Sequence, residues 1–161
     1  MPTNACRLRQ VAAPDCAQKQ QGRIRPSSEA TRLTQQPTPL FDRIDTFILR
    51  VADCEAAVAW YAAALGLQAS FTDPDERLAV LPLAHGTSLT LWQRKAGEPA
   101  PGRDASGPFP IFATPDAAAS REELQRRGVR VGDLVESAGV RFFDFRDLDG
   151  NRLEACQILE D

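Results

Sequence analysis

The chain has one histidine and one methionine in 161 residues, and both scarcities restrict what it can do. The single histidine, His85, falls in a turn between two strand-like segments, so a Ser-His-Asp site has no base to work with. No G-x-S-x-G, no H-E-x-x-H and no glycine-rich phosphate loop occurs. The four cysteines, Cys6, Cys16, Cys54 and Cys156, show no C-x-x-C spacing, which argues against a disulfide framework. With no apolar signal-peptide core either, a reducing cytoplasm is the expected setting. Apolar runs are far shorter than the roughly 20 residues of a spanning helix, so no membrane is expected as a partner. The net charge of −3 hides an asymmetry. Residues 1–40 carry six basic and two acidic residues, a surplus of four that leaves −7 for the remainder. An acidic remainder argues against nucleic acid as a partner.

What is present starts with a segment rich in Gln, Pro, Ser, Thr and Arg over residues 1–40, with neither a strand nor a helix period, expected to be disordered. Regular patterning spans residues 41–160. IDTFILRV alternates as a strand; Asp53 offers a cap to the helix CEAAVAWYAAAL, and Gly66 can end it. LQASF, RLAVLPL and TSLTLWQR read as strands, completing a first module over 41–95. A Pro/Gly linker over 96–107 follows. The same order then returns over 108–160: FPIFAT as a strand, a helix around DAAASREELQRR stopped by Gly128, then VRVGDLVE, GVRFFDFR and NRLEACQIL. The charged helix face suggests an i,i+4 pair of Glu122 with Arg126.

The repeat has a measurable register. Asp53 and Asp116 are 63 residues apart, and GTSLTL at Gly86 and GNRLEA at Gly150 are 64 apart. Two copies of one βαβββ unit predict an α+β fold in which neither copy buries its sheet alone. Under this register Thr90 corresponds to Glu154 and Thr46 to Phe109.

IDTFILRVADCEAAVAWYAAALGL and FRDLDGNRLEACQ, with the duplicated order, resemble the vicinal oxygen chelate superfamily of glyoxalases, bleomycin resistance proteins and extradiol dioxygenases. The family pattern has Pro where this chain has Leu148. The resemblance covers Phe41 to about Leu159 and implies a curved, cup-shaped mixed sheet with helices outside. It also implies a homodimer, with cups at or near the subunit contact.

In enzymes of that superfamily a divalent metal is held by His, Glu or Gln from four inward strand positions. Carried over, those positions fall on Thr46, Thr90, Phe109 or its neighbour Pro110, and Glu154, so only Glu154 keeps a ligand. A catalytic metal needs about three imidazole or carboxylate ligands, and one carboxylate with two hydroxyls and a phenyl ring does not supply them. No metal or other cofactor is therefore expected, and no catalytic residue is assigned.

With Thr46, Thr90 and Glu154 facing inward by resemblance, strand alternation adds other residues to the cup. They are Ile48, Arg50, Ser88, Trp92, Arg94, Ile111, Phe142, Asp144, Arg146, Arg152 and Cys156. The expected ligand-binding set is Thr46, Ile48, Arg50, Thr90, Trp92, Phe109, Phe142, Asp144 and Glu154. Phe47, Leu49, Leu89, Leu91, Leu153, Phe143 and Phe145 should form the helix-covered core. Aromatic rings with a few charges suit a small planar molecule, and Glu154 or Asp144 could answer a ligand cation. Binding and sequestration of an antibiotic-like molecule is the function this favours. The alternatives are a metal-dependent lyase, isomerase or dioxygenase, and a structural dimer with a closed cup. Glu154 could instead pair with Arg50 or Arg146 with no ligand at all.

Overall fold

The computed structural model describes residues 40–41, 43–100 and 107–159. The expectation of disorder before Leu40, and the linker over 101–106, lie outside the described residues. Thr46 to Val51, with Leu49 and Val51 buried on one face, forms β1 (Thr46–Val51). Asp53 then accepts the Ala56 N–H at 2.9 Å and starts α1 (Cys54–Leu65). Gly66 ends it at a φ of 72°, a conformation open to glycine without a Cβ penalty, and its N–H returns to the Ala62 carbonyl. There follow β2 (Phe71–Asp73), β3 (Leu78–Pro82) and β4 (Ser88–Gln93). The second module repeats the order as β5 (Ile111–Ala113), α2 (Ala117–Arg126), β6 (Val135–Ser137), β7 (Val140–Arg146) and β8 (Arg152–Ile158). Asp116 caps α2 through the Ala119 N–H, as Asp53 caps α1.

Each module makes one four-stranded mixed sheet, ordered β1-β4-β3-β2 and β5-β8-β7-β6. The first and last strands of each module pair in parallel, and the register matches the repeat: Ile48 lies opposite Thr90, and Ile111 lies opposite Glu154. This is the α+β architecture that the duplicated pattern predicts.

Three expected strands come out much shorter, and of FPIFAT only Ile111–Ala113 remains as β5. The stretch LQASF contributes only its final Phe to β2, and VRVGDLVE is reduced to β6 plus a single bridge from Val131 to Phe145. Gly132 explains the last case. Its N–H donates to the Asp144 carbonyl at 2.7 Å, and a Cβ there would collide with Asp144 Oδ1. The chain crosses β7 too closely to run alongside it as a strand.

Alternation places the large apolar side chains on one face of each sheet. Leu49, Leu81, Leu89 and Leu91 join Phe143, Phe145 and Leu153 with Tyr61 and Leu124 from the helices in one buried cluster. The modules therefore meet through their helix-covered faces. Arg127 Nη1 donates to the Ala64 carbonyl at 2.9 Å, linking the C-terminal ends of α2 and α1. Within α2, Arg126 and Arg127 both pair with Glu123, so the expected partner Glu122 is not the one used.

The polar link between modules centres on Asp147, in the turn between β7 and β8. It is buried, and its Oδ2 accepts the Tyr61 hydroxyl at 2.9 Å and Asn151 Nδ2 at 2.8 Å. Its Oδ1 accepts the backbone N–H groups of Asp149 and Asn151. From the same turn, Asn151 Nδ2 reaches the Arg50 carbonyl and Asp149 Oδ1 takes the Ala52 N–H. Burial first, and the Asp147 charge second, push the Tyr61 hydroxyl far above its ordinary pKa, so it remains a donor.

Removing one buried acceptor strands several donors. Asp147→Ala is expected to lower unfolding stability by about 3 kcal/mol, and Tyr61→Phe by about 1 kcal/mol, in urea titrations with an unchanged m-value. Equal losses for the two variants would show that the turn's own N–H groups do not depend on Asp147.

Candidate functional site

The nine predicted site residues fall into two groups, one per sheet. Thr46, Ile48, Arg50, Thr90 and Trp92 share the face of the first sheet opposite the buried Leu49, Leu89 and Leu91, and Phe142, Asp144 and Glu154 share the face of the second opposite the buried Phe143, Phe145 and Leu153; these are the faces expected to be inner. Phe109 precedes β5 rather than lying in it. Among the described residues, no hydrogen bond, ion pair or ring contact links a member of one group to a member of the other. Neither of two cavities, of about 390 and 280 Å³, is lined by any of the nine. The larger lies beside the start of α1 and includes Cys54, Asp73 and Arg77; the smaller lies between α1 and α2.

On the first sheet, the Thr46 and Thr90 hydroxyls bond each other at 2.8 Å, and Thr46 Oγ1 also donates to the Ser88 carbonyl at 3.3 Å. Trp92 is held by its indole N–H on the Glu76 carbonyl at 3.1 Å. The Arg50 guanidinium lies over its ring at 4.9 Å and the Lys95 ammonium at 5.5 Å. Arg50 is itself held by Glu98, through Nε at 3.0 Å and through Nη2. That bond keeps the Glu98 carboxyl below the ordinary range. Glu98 and Lys95 were not anticipated, because they lie at the end of β4 and in the linker, where no strand period assigns a face.

On the second sheet four charges form a square. Asp144 is directly opposite Glu154, and Arg146 is directly opposite Arg152. Each carboxylate takes the arginine two residues along its own strand: Arg152 Nη2 to Glu154 at 3.3 Å, and Arg146 Nη2 to Asp144 at 3.9 Å. Glu154 thus pairs with Arg152, not with Arg50 or Arg146. The Arg152 guanidinium also covers the Phe109 ring at 3.9 Å. Glu154 is only 6% exposed, and burial pushes its carboxyl above the usual 4.5, with Arg152 opposing and Asp144 adding to the rise.

This donor set does not fit a divalent metal. The two hydroxyls satisfy each other, the phenyl ring offers no lone pair, and the one carboxylate is paired with an arginine. Among the described residues no group of three or more His, Cys, Asp and Glu is placed to hold an ion. His85 is exposed, at a φ of 65° in the turn before β4. Cys54 is half-buried at the first residue of α1, with its thiol toward the Leu91 carbonyl. No helix among the described residues is long and apolar enough to cross a membrane.

Residues 43–155 match the family pattern described as the Glyoxalase/Bleomycin resistance protein/Dioxygenase superfamily. The chain belongs to that superfamily. No curated protein matches it. Among solved structures, it resembles TnmS3, an antibiotic binding protein from Streptomyces sp. CB03234, at 25% identity and a TM-score of 0.62, over 75% of this chain and 99% of that one. A glyoxylase/bleomycin resistance protein/dioxygenase domain from Frankia sp. EAN1pec matches at 21% identity and a TM-score of 0.61, over 73% and 98%. A superfamily member from Nocardioides matches at 24% and 0.57, over 76% and 87%. The superfamily hosts several chemistries on one fold, so the residues at the four inward positions carry the functional argument.

The raised carboxyl of Glu154 has a defined sign. The folded chain binds more protons than the unfolded chain above the usual pKa of 4.5, so this group's contribution is most favourable below that value and declines as the pH rises through the raised one. Glu154→Gln is expected to melt higher than the parent at pH 7 and to lose that advantage as the pH falls through the raised pKa towards 4.5, in thermal melts across a pH series. A lower melting temperature at pH 7 would mean that the Arg152 pair outweighs the desolvation of the carboxylate.

Proposed function

We propose that the protein binds and sequesters a small, partly aromatic, antibiotic-like molecule without a metal ion, in the manner of bleomycin resistance proteins. It acts as a homodimer in the cytoplasm, with Thr46, Ile48, Arg50, Thr90, Trp92, Phe109, Phe142, Asp144 and Glu154 around the ligand. The observation that carries this reading is the chemistry at the four inward positions: mutually bonded hydroxyls, a phenyl ring and an arginine-paired carboxylate. Such a set lacks the ligands for Lewis-acid chemistry but suits contact with an organic molecule. The likeness to an antibiotic binding protein at 25% identity supports the same class of function.

The homodimer is supported by the exposure of Ile48 and Ile111, 49% and 43%, at equivalent places on the edge strands β1 and β5. Apolar side chains on unpaired edges favour a covering partner. A second copy would also give each half of the site a facing surface. The competing reading, a metal-dependent lyase, isomerase or dioxygenase, rests on Glu154 alone.

Thermal melts of the chelator-treated protein against planar aromatic antibiotics and against divalent metals separate the two. An organic ligand at 100 times its Kd should add about 2.7 kcal/mol of stability with chelator present. Trp92→Ala is expected to weaken that ligand at least tenfold while leaving the unliganded melt close to the parent's. Stabilisation by metal alone, lost in Glu154→Gln, would restore the enzyme reading.

A further inference from the structure

The arginines on the inner faces narrow the chemistry of the ligand. Four stand where the two modules join: Arg50 and Arg94 where β1 and β4 finish, Arg146 and Arg152 where β7 finishes and β8 starts. Asn151 Nδ2 bridges this junction by donating to the Arg50 carbonyl at 3.2 Å. Three of the four have a carboxylate of their own: Arg50 has Glu98, Arg146 has Asp144 and Arg152 has Glu154. Arg94 has none within ion-pair distance among the described residues, and its Nε is buried without a hydrogen-bond partner. Asp149 feels the Arg94 charge, but its Oδ1 is taken by the Ala52 N–H at 2.8 Å, and burial holds its carboxyl above the ordinary range.

Arg94 as a whole is half-buried, and a guanidinium charge with no carboxylate of its own is an arrangement that an incoming anion relieves at the part of the group that solvent reaches. Arg94 continues the β4 ladder, with its N–H on the Val51 carbonyl at 2.8 Å, so it follows Trp92 on the same face, roughly 7 Å further along. A ligand cation meets the opposite situation, since each inner carboxylate is already paired with an arginine and a newcomer would have to displace one.

We infer that the ligand is a planar aromatic acid whose ring lies against Trp92 and whose acidic group, a carboxylate or an ionised phenol, is held by Arg94. This deepens the binding function proposed above and depends on it. It also replaces the expectation that Glu154 or Asp144 answers a ligand cation. The guanidinium fork matches a carboxylate in two parallel hydrogen bonds, and a phenolate in one or two.

The test uses the full chain in calorimetric titrations with anthraquinone-2-carboxylate, its carboxamide, a cationic aminomethyl analogue and an acidic hydroxyanthraquinone titrated above and below its phenol pKa. The carboxylate is expected to bind at least tenfold more tightly than the amide or the cation. Arg94→Gln should erase that preference, and Arg94→Lys should retain part of it. The hydroxyanthraquinone separates the acid types: tighter binding only of its ionised form extends the site to phenolates, and equal binding of both forms confines it to carboxylates. Equal affinity for acid and amide, a preference for the cation, or an acid preference that survives in Arg94→Gln would overturn the inference while leaving aromatic binding standing. Failure of all the probes to bind, with Trp92→Ala indistinguishable from the parent, would overturn the binding function itself.

Discussion

Asp147 holds the two modules in one arrangement. Its two carboxylate oxygens accept four hydrogen bonds, one from the Tyr61 hydroxyl of the first module and three from its own turn. The geometry of that turn follows from these bonds. Only with Asn151 fixed on Asp147 can its amide also reach the Arg50 carbonyl, and only with Asp149 turned the other way can it take the Ala52 N–H. The end of β1 is therefore set against the start of β8 by a single buried acid, and the inner faces of both sheets take their relation at this junction from it. An acid buried this deeply is tolerated because every donor around it is satisfied.

The inner faces are organised by a different rule. Along β7 and β8 charge alternates with the strand period, so that Asp144, Arg146, Arg152 and Glu154 occupy one side while Phe143, Phe145 and Leu153 occupy the other. Placing two carboxylates directly opposite each other is unfavourable in a sheet, and two guanidiniums no less so. Pairing along each strand offsets this, since each acid has an arginine two residues away on its own strand. On the first sheet the same compensation comes from outside the strands, with Glu98 of the linker closing on Arg50 above the Trp92 ring.

Much of this is readable from the amino-acid order. The two helix caps, the repeat spacing and the alternation of apolar side chains are local or periodic features, and each has one structural outcome. Asp53 and Asp116, Gly66, and the pairing of Thr90 with Glu154 as equivalents belong to that class. The ion-pair partners belong to another. Arg50 and Glu98 are 48 residues apart, and nothing in the linker's composition marks Glu98 as the partner rather than its neighbours. Gly132 likewise carries no periodic signal, although its passage over Asp144 is what shortens β6. The proposed ligand-binding set is legible as two separate rows of side chains, because strand alternation determines which face a residue takes. How two rows would come to surround one ligand is a question of assembly, and alternation within a strand carries no information about it.

The bond from Arg127 to the Ala64 carbonyl joins positions 63 residues apart, the same interval that separates Asp53 from Asp116. The two residues are each other's counterparts in the repeat, so they meet close to the axis that relates the modules. Identical side chains at such a point would confront themselves, and two guanidiniums there would repel across the ends of the helices. A tandem chain escapes that restriction, because its halves can carry a donor in one copy and leave an acceptor in the other. Covalent fusion of the modules thus permits a link at the centre of the pair that uses one guanidinium rather than two.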